Sequence, residues 1–293
     1  MRRVIAGLLL LLVVDSALAS GRIGGEAVER GRYILAAAGC EACHTIPESG
    51  DYLAGGRRFE TPFGVFFSPN ITPDARYGIG SWDLKQFAAA LKKGVGPDGH
   101  YFPVFPFTSY THMRDQDIGD LWAYLRSVPP IARPVPSHQL PWYLGRTVGA
   151  RIWNLLFFDE TGFAVDPGRS KQWNRGAYLV SALGHCAECH SPRWPWGAIR
   201  EEQRFAGTES GPEGKPVPNI TPDRETGIGR WSEDDIVWYL ESGGTPDGDY
   251  AGGLMAEVVD HSTSRLSDED RKAIALFLKS IPAVHHSVGS GDQ

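Results

Sequence analysis

Apolar residues with helical spacing recur along the chain, separated by loops rich in glycine and proline. Leu84, Phe87 and Leu91 follow one another at intervals of three and four residues, which places them on one face of a helix. Ser81 is a suitable N-cap for this helix, and Gly94 is a suitable residue to end it. The pattern therefore predicts a short amphipathic helix between these two residues.

Another helix is predicted from about Asp115. Ile118, Leu121 and Leu125 share one of its faces, and Pro129 ends the segment. Strands are not predicted, since no stretch alternates convincingly between apolar and polar residues. The hydrophobic pattern thus indicates an all-α fold made of short helices.

The pattern occurs twice in the chain. RGRYILAAAGCEACH at 30–44 is matched by RGAYLVSALGHCAECH at 175–190, and further segments, among them two PNITPD loops, are matched in the same order. This is the signature of an internal repeat. In the second copy, Ser232 and Ser267 are the predicted N-caps, and an aspartate three residues after each gives a variant of the capping box. The sequence therefore predicts two tandem copies of one helical domain.

The N-terminus resembles an export signal. A charged start and an apolar run precede Ala17 and Ala19, which fit a signal-peptidase cleavage site. The apolar run is shorter than the roughly 20 residues that span a bilayer, and an uncleaved inner-membrane anchor remains the alternative to a free periplasmic protein. The predicted segments are a signal peptide at 1–19, a first domain at 20–130, a connector at 131–170, a second domain at 171–283 and a disordered tail at 284–293.

The composition is that of a globular protein. Hydrophobic residues make up 42% of the chain and charged residues 22%, and the formal net charge is −6. A mildly acidic chain without basic runs has no electrostatic feature that favours nucleic acid as a partner.

All four cysteines lie in two C-x-x-C-H segments, CEACH and CAECH. In an exported protein they could form disulfides, a zinc site or a redox pair, but C-x-x-C-H is the attachment signature for c-type haem. In this interpretation two thiols on one helical turn bind the haem covalently and the following histidine binds the iron. The residues assigned to two haem c groups are Cys40, Cys43 and His44, and Cys186, Cys189 and His190.

Methionine is a common ligand on the opposite side of a haem iron. Apart from the initiator, the chain contains only Met113 and Met255, and each precedes the last helix of its repeat. They are the predicted axial ligands. The rival ligands are His112 and His100 in the first copy and His261 in the second.

The repeated PNITPD loops predict contacts to haem propionates. Asn70 and Asn219 could donate hydrogen bonds to them, while Trp82 and Trp231 would line the same edge. The alternative is that these loops are simply turns, which their Pro and Asp residues favour. Arg57 and Arg58 are further candidates for a propionate pair.

TPFGVFFSPNITPDARYGIG, QWNRGAYLVSALGHCAECHSPR and LMAEVVDHSTSRLSDEDRKAIALFLKSIP resemble the c-type cytochrome subunits of bacterial periplasmic dehydrogenases. That group includes the subunits of alcohol, gluconate and related molybdenum or flavin dehydrogenases. The resemblance implies two class I cytochrome c domains. In many relatives the loop before the last helix of the first domain reads like YPAMPY and carries a methionine ligand, whereas FPVFPF here carries Phe105.

The resemblance implies an electron carrier without catalysis of its own. It would take electrons from a dehydrogenase and pass them to a cytochrome or a terminal oxidase. The alternative is a dihaem enzyme of the peroxidase type, with one open or displaceable haem position. The connector at 131–170 is rich in aromatic residues and is expected to be ordered and to pack across both domains. Its alternative role is a docking surface for a dehydrogenase or for peripheral membrane association.

Overall fold

The computed structural model describes residues 24–47, 51–142 and 148–289. The predicted signal peptide, residues 1–19, lies outside this part of the chain. The described residues are mainly helical, in agreement with the predicted fold class.

Residues 24–130, which we call the N-terminal half, combine helices with two short hairpins. The elements in order are α1 (helical over 24–37), α2 (Cys40–His44), β1 (Arg58–Thr61), β2 (Gly64–Phe67), α3 (Leu84–Lys93), β3 (Val95–Gly96), β4 (Gly99–His100), α4 (Phe107–Tyr110) and α5 (Asp115–Ser127). β1 pairs with β2 and β3 with β4, both antiparallel. The expectation of no strands is therefore wrong for these hairpins, because strands of two to four residues are too short to give a clear alternation.

Residues 171–289, which we call the C-terminal half, repeat most of this order. Between the halves lies α6 (Val148–Phe157), and the C-terminal half then contains α7 (Lys171–Tyr178), a π-helical turn (Leu179–Leu183), α8 (Ala187–His190), α9 (Glu233–Ser242), α10 (Gly253–His261) and α11 (Asp268–Ser280). Short 3-10 turns at Glu201–Gln203, Pro212–Gly214, Ile228–Arg230 and Thr263–Arg265 complete it.

Helix α3 begins later than predicted. Its N-cap is Asp83, whose carboxylate accepts a hydrogen bond from the Gln86 amide, and the Gln86 side chain accepts one from the Asp83 amide in return. This capping box replaces the predicted cap at Ser81. The predicted end is confirmed, because Gly94 adopts the left-handed conformation with φ 61°.

The helix starts predicted in the C-terminal half are confirmed. Ser232 accepts a hydrogen bond from the amide of Asp235, and Ser267 accepts one from the amide of Asp270. The Asp235 carboxylate also accepts from the Ser232 amide, which completes a capping box at the start of α9.

In each half the first helix crosses the last at a glycine. A Cβ atom on Gly31 of α1 would lie 1.9 Å from the carbonyl oxygen of Asp120 in α5. A Cβ atom on Gly176 of α7 would lie 1.9 Å from the carbonyl oxygen of Ala273 in α11. Only a residue without a side chain permits these backbones to approach so closely. A glycine in the first helix therefore permits the close helix crossing in both halves.

Each half also places a tyrosine at the start of the last helix of the other half. The Tyr33 hydroxyl donates a 2.6 Å hydrogen bond to Asp270 at the start of α11. The Tyr178 hydroxyl donates to Asp117 at the start of α5 and accepts a 3.1 Å bond from the Arg114 amide. This exchange ties the halves together with approximate twofold symmetry.

The buried apolar side chains form one continuous cluster that extends through both halves. Members from the two halves include Leu35, Met113, Leu121 and Leu125, and Tyr178, Leu183, Ile274 and Leu278. The two halves are therefore packed together through a shared core.

The described part of the connector contacts both halves. Gln139 exchanges backbone hydrogen bonds of 2.9 and 2.8 Å with Val65 in β2. The Trp153 indole in α6 donates a 2.8 Å bond to the carbonyl of Trp196, and the Phe158 ring lies 5.1 Å from that of Phe107. Neither α6 nor any other helix in the described ranges is long and apolar enough to cross a membrane.

The end of the chain differs from the predicted disordered tail in the residues that are described, up to 289. The Val284 carbonyl accepts a 2.8 Å bond from Asn219, and the Val284 amide donates a 3.2 Å bond to Thr221. His286 pairs with the Ala206 carbonyl at 2.9 Å. These bonds to buried polar groups hold the segment along the C-terminal half.

Candidate haem sites

Both C-x-x-C-H segments adopt helical turns that bring their cysteines to one side. α2 begins at Cys40 directly after Gly39, whose φ of 62° reverses the chain. Residues three apart in a helix are neighbours on its surface. All four cysteines are free thiols, and the disulfide alternative is therefore wrong for this structure.

Burial raises the pKa of all four cysteine thiols, which favours their uncharged form. Burial raises the pKa of Cys40 and of Cys186 to about 12, and burial followed by the nearby Glu188 raises that of Cys189 to about 11. A structural zinc site needs several ligands in one place, and no group of three or more His, Cys, Asp or Glu side chains suited to a metal occurs among the described residues. The donor arrangement therefore does not favour the zinc alternative.

The histidines of the two motifs are oriented in the same way. His44 Nδ1 lies 2.7 Å from the Pro69 carbonyl oxygen, and His190 Nδ1 lies 2.8 Å from the Pro218 carbonyl oxygen. Because a carbonyl oxygen only accepts, Nδ1 carries the proton in each ring and Nε2 keeps its lone pair. Burial lowers the pKa of both histidines, which keeps them neutral. Each is thus prepared to bind a metal through Nε2.

A glycine fixes the loop that supplies each carbonyl. The Gly55 amide donates a 2.7 Å bond to the His44 carbonyl, and the Gly207 amide donates a 2.8 Å bond to the His190 carbonyl. Both glycines have positive φ, 69° and 79°, and a Cβ atom on Gly55 would lie 2.4 Å from the Pro69 backbone. The proline carbonyls were not singled out in the sequence, although they stand within the repeated loops.

These residues fit a covalently attached haem. Each motif offers two uncharged thiols on one helical turn, followed by a neutral imidazole whose Nε2 is free to bind iron. Cys40, Cys43 and His44 would hold one group, and the equivalent residues of the second motif the other.

The two predicted methionine ligands differ in their surroundings. Met255 lies in α10 and is partly exposed. Met113 is 2% exposed and belongs to the shared hydrophobic core. The roles of both as iron ligands remain predictions.

Asn70 and Asn219 have other partners than a propionate. The Asn70 amide nitrogen donates 2.8 and 3.3 Å bonds to the carbonyls of Ile131 and Arg133, and its oxygen accepts two bonds from Thr72. The Asn219 nitrogen donates a 2.8 Å bond to the Val284 carbonyl and a 3.0 Å bond to the Thr226 hydroxyl, and its oxygen accepts two bonds from Thr221. Both amides are buried and fully paired. Each closes the loop and holds the segment after the last helix, which favours the turn alternative.

The arginines considered for propionates are paired with carboxylates. Arg57 forms a two-pronged ion pair with Glu257 of α10 and also donates to the Ala42 carbonyl. Arg58 pairs with Glu60. Trp82 and Trp231 are partly buried against the core, and their contact with a propionate remains a prediction.

The rival histidine ligands also have neighbours of their own. His261 Nδ1 lies 3.0 Å from Glu41 of the first motif, and His100 Nδ1 lies 3.4 Å from the Asn154 amide of α6. His112 is partly buried beside Met113.

Glu188, inside the second motif, reaches across to the N-terminal half. Its carboxylate accepts bonds of 2.6 and 2.7 Å from the hydroxyls of Thr108 and Ser109, and it pairs with Arg193 at 2.6 Å. Burial alone would raise the pKa of Glu188, but Arg193 and the two hydroxyls hold it below its ordinary value. The second motif is therefore anchored on the N-terminal half by a buried carboxylate.

Glu41, inside the first motif, makes the reciprocal contact. Its carboxylate pairs with Arg265 at 2.5 Å as well as with His261, both in the C-terminal half. Neither glutamate was predicted as a site residue, because both occupy the unspecified positions of C-x-x-C-H. Together they show that the two motifs lie at the interface between the halves.

The known proteins that this chain resembles in sequence are c-type cytochromes. The family model for cytochrome c matches residues 28–129. A dihaem c-type cytochrome of Cereibacter sphaeroides is 44% identical over 266 residues, which cover 89% of this chain and 87% of that protein.

Cytochrome subunits of dehydrogenases are also similar. The fructose dehydrogenase cytochrome subunit of Gluconobacter japonicus is 39% identical over 259 residues, 87% of this chain and 53% of that subunit. The cytochrome c subunit of quinone-dependent alcohol dehydrogenase from Gluconobacter oxydans is 36% identical over 283 residues, 94% of this chain and 59% of that subunit. The chain thus spans little more than half the length of these two relatives.

Proposed function

Since the chain belongs to the c-type cytochrome family, we propose that it carries two haem c groups and relays electrons from a partner dehydrogenase to a downstream cytochrome or terminal oxidase. Bound haem supplies one-electron oxidation and reduction of its iron. The protein's part is to attach the two groups, orient the proximal histidines and hold both sites at a fixed separation.

The observation that carries the proposal is the duplicated proximal site. Each motif has two free thiols, and each histidine donates from Nδ1 to a proline carbonyl, at 2.7 Å in one half and 2.8 Å in the other. Hydrogen bonding at Nδ1 fixes the ring orientation and makes Nε2 a better ligand. Both motifs are accompanied by the same positive-φ glycine and the same proline carbonyl in an equivalent loop. C-x-x-C-H segments that arose by chance would not share these features.

The interface supports transfer between the two sites. Glu188 of the second motif bonds to Thr108 and Ser109 of the N-terminal half, and Glu41 of the first motif pairs with Arg265 of the C-terminal half. Both attachment helices belong to the interface, so the residues that would hold the two groups lie on either side of it. Short separation permits electron transfer without any bond being made or broken.

Relatives that serve dehydrogenases support a dehydrogenase as donor, here by analogy. An exposed apolar surface on α6 is suited to such a partner: Leu155 is 83% exposed, and Ile152 and Leu156 are also exposed. The export signal expected at 1–19 supports a periplasmic location, with an uncleaved inner-membrane anchor as the alternative. Peripheral association with the membrane is compatible with a free periplasmic protein and with an anchored one.

Electron counting tests this function. The holoprotein, produced in a bacterial host that attaches haem c, is titrated with a reductant while its absorption spectrum is recorded. The proposal expects two one-electron steps per chain, and a single step in the Cys186→Ser/Cys189→Ser double variant. It also expects substrate-dependent reduction by a dehydrogenase retained on the tagged holoprotein from native extract. Sustained turnover of peroxide, with no reduction by any dehydrogenase, would favour the enzyme alternative instead.

A further inference from the structure

The two halves differ at the segment that follows their PDG loop. In the N-terminal half the Tyr101 amide donates a 2.7 Å bond to the carbonyl of Gly94, the residue that ends α3. In the C-terminal half the Ala251 amide donates a 2.8 Å bond to the carbonyl of Gly243, the residue that ends α9. These bonds put the two segments in register.

In this register Phe105 is the equivalent of Met255. Each lies four residues after the bonded amide, Phe105 after Tyr101 and Met255 after Ala251. Both side chains are partly exposed. The position that holds a methionine in the C-terminal half therefore holds a phenyl ring, which has no lone pair to offer a metal, in the N-terminal half.

Met113 has a different equivalent. It directly precedes Arg114, the N-cap of α5, just as Leu266 directly precedes Ser267, the N-cap of α11. The Met113 amide donates a 2.9 Å bond to the Tyr110 carbonyl, and the Leu266 amide a 3.2 Å bond to the Thr263 carbonyl. Met113 thus occupies the place of a core leucine.

The burial of Met113 agrees with this equivalence. Met113 is 2% exposed and Leu266 6%, and both belong to the shared core. A ligating sulfur has to present its surface to a group outside the polypeptide. Met113 is enclosed by protein atoms on nearly all sides, and its thioether fills the core in the manner usual for methionine.

The ring of Phe105 is held by other aromatic rings. Its centroid lies 5.8 Å from that of Tyr101 and 5.7 Å from that of Tyr110, both in edge-to-face geometry, and 6.5 Å from that of Phe107. We call these four residues the Phe105 cluster. Tyr110 connects this cluster to the first motif, because its hydroxyl donates a 2.8 Å bond to the carbonyl of Ala38, two residues before Cys40. The N-terminal half thus has an aromatic ring at the position where the C-terminal half has a sulfur.

We propose that the haem site of the N-terminal half has no methionine ligand, and that beside the Phe105 cluster it binds a small neutral ligand of the carbon monoxide type, whereas Met255 closes the site of the C-terminal half. The inference rests on the proposed function, because it requires both haems to be attached. His44 would then be the one iron ligand that this half supplies.

Carbon monoxide titration of the reduced holoprotein tests the difference. Haem content per chain is measured first, so that a value below two counts against the proposed function and not against this inference. With two haems, the expected stoichiometry is one carbon monoxide per chain for the wild type. Met255→Ala raises it to two.

Phe105→Met and Met113→Leu are the matched pair of variants. Phe105→Met is expected to abolish carbon monoxide binding and to add a second sulfur-to-iron charge-transfer band in the oxidised spectrum. Met113→Leu, which copies the residue at the equivalent position, is expected to leave stoichiometry and bands unchanged.

Two results would overturn the proposal. One is a wild type that binds no carbon monoxide and in which Met113→Leu opens a site, since Met113 would then be the ligand. The other is a wild type that binds no carbon monoxide and in which His112→Ala opens a site, since a histidine would then be the ligand. A Phe105→Met protein that failed to fold would leave the wild-type stoichiometry and the Met113→Leu result as sufficient tests.

Discussion

The hydroxyls of Tyr33 and Tyr178 join the two halves of the molecule. Tyr33 and Tyr178 each stand two residues after the crossing glycine of their helix, and each bonds to an aspartate in the opposite half. The sequence repeat predicts that the two tyrosines are equivalent. It cannot predict that their partners are exchanged, because the partners depend on how the halves pack.

Removing the Tyr178 hydroxyl is expected to destabilise the holoprotein. Tyr178 is fully buried, and its hydroxyl bonds to the Asp117 carboxylate and the Arg114 amide. Tyr178→Phe should lower the free energy of unfolding in urea by about 1.5–3 kcal/mol, the usual value for a hydrogen bond to a charged group. Tyr250→Phe, at a residue that is 66% exposed, is the control and should change it by less than about 0.5 kcal/mol. Equal effects of the two variants would contradict the role given to Tyr178.

The stability of the protein should depend on pH through the ion pair between Asp270 and Arg175. Burial alone would raise the pKa of Asp270, but hydrogen bonds from Arg175 and Tyr33 hold it below its ordinary value. A carboxyl with a lowered pKa in the folded state contributes stability above its unfolded pKa of about 3.9 and loses that contribution as the pH falls further. The difference in unfolding free energy between wild type and Asp270→Asn should therefore be largest near neutral pH and shrink below about pH 4. A difference independent of pH would show that the carboxylate charge is unimportant.

Helix crossings explain why the two halves share a glycine in their first helix. At Gly31 and Gly176 a Cβ atom would overlap a backbone carbonyl, at 1.9 Å in both cases. Main-chain atoms cannot move aside as the end of a flexible side chain can. Neither glycine is required by its φ angle, which makes close approach the sole reason for it.

Gly176→Ala is expected to destabilise the protein by at least about 1–3 kcal/mol, the typical cost of overpacking. Alanine is the better helix former by about 0.8–1.0 kcal/mol, and the substitution would stabilise an unobstructed helix. Gly119→Ala in α5 supplies that control, because a Cβ atom there meets nothing within 4 Å. Thermal unfolding should shift to lower temperature for Gly176→Ala and stay the same or rise for Gly119→Ala. A rise for both would contradict the crossing.

The sequence predicted helices best where local signals agree. Helix α5, its apolar face and the serine caps of α9 and α11 follow from periodicity and capping residues alone. The cap of α3 was misplaced because Ser81 and Asp83 are both good caps, and the choice of Asp83 depends on Gln86. The hairpins β1–β2 and β3–β4 were missed because so few residues carry no readable alternation.

The candidate sites were predictable in part, because only some of their residues belong to a local motif. Cysteines and histidines follow from a contiguous motif, whereas the carbonyl that orients each histidine comes from a loop 25 or more residues away. The asparagines were singled out correctly as repeated residues. Their actual partners, the segments after the last helices, belong to tertiary structure that a motif does not encode.

The relation of the two halves determines what the molecule can do. Buried contacts join them through the shared core, the exchanged tyrosines and the two motif glutamates. α6 contacts both halves through Trp153 and exposes apolar side chains on its other side. A surface of that kind is typical of a region that contacts another protein.

Leu155→Glu should weaken reduction by the partner dehydrogenase without affecting haem attachment. Leu155 is 83% exposed, and burying a carboxylate in an apolar contact would weaken binding about tenfold or more. The measurement is the dehydrogenase concentration at half-maximal reduction rate. Val165→Glu, also at an exposed apolar residue of the connector, is the control. If the two variants behave alike, α6 is not the contact surface.

The most direct test of the central claim is the mass of two peptides from the digested holoprotein, one containing Cys40 and Cys43 and the other Cys186 and Cys189. Both peptides are expected to carry the added mass of one covalently bound haem. An unmodified peptide with free thiols, from either half, would contradict the assignment of two haem c groups to this chain.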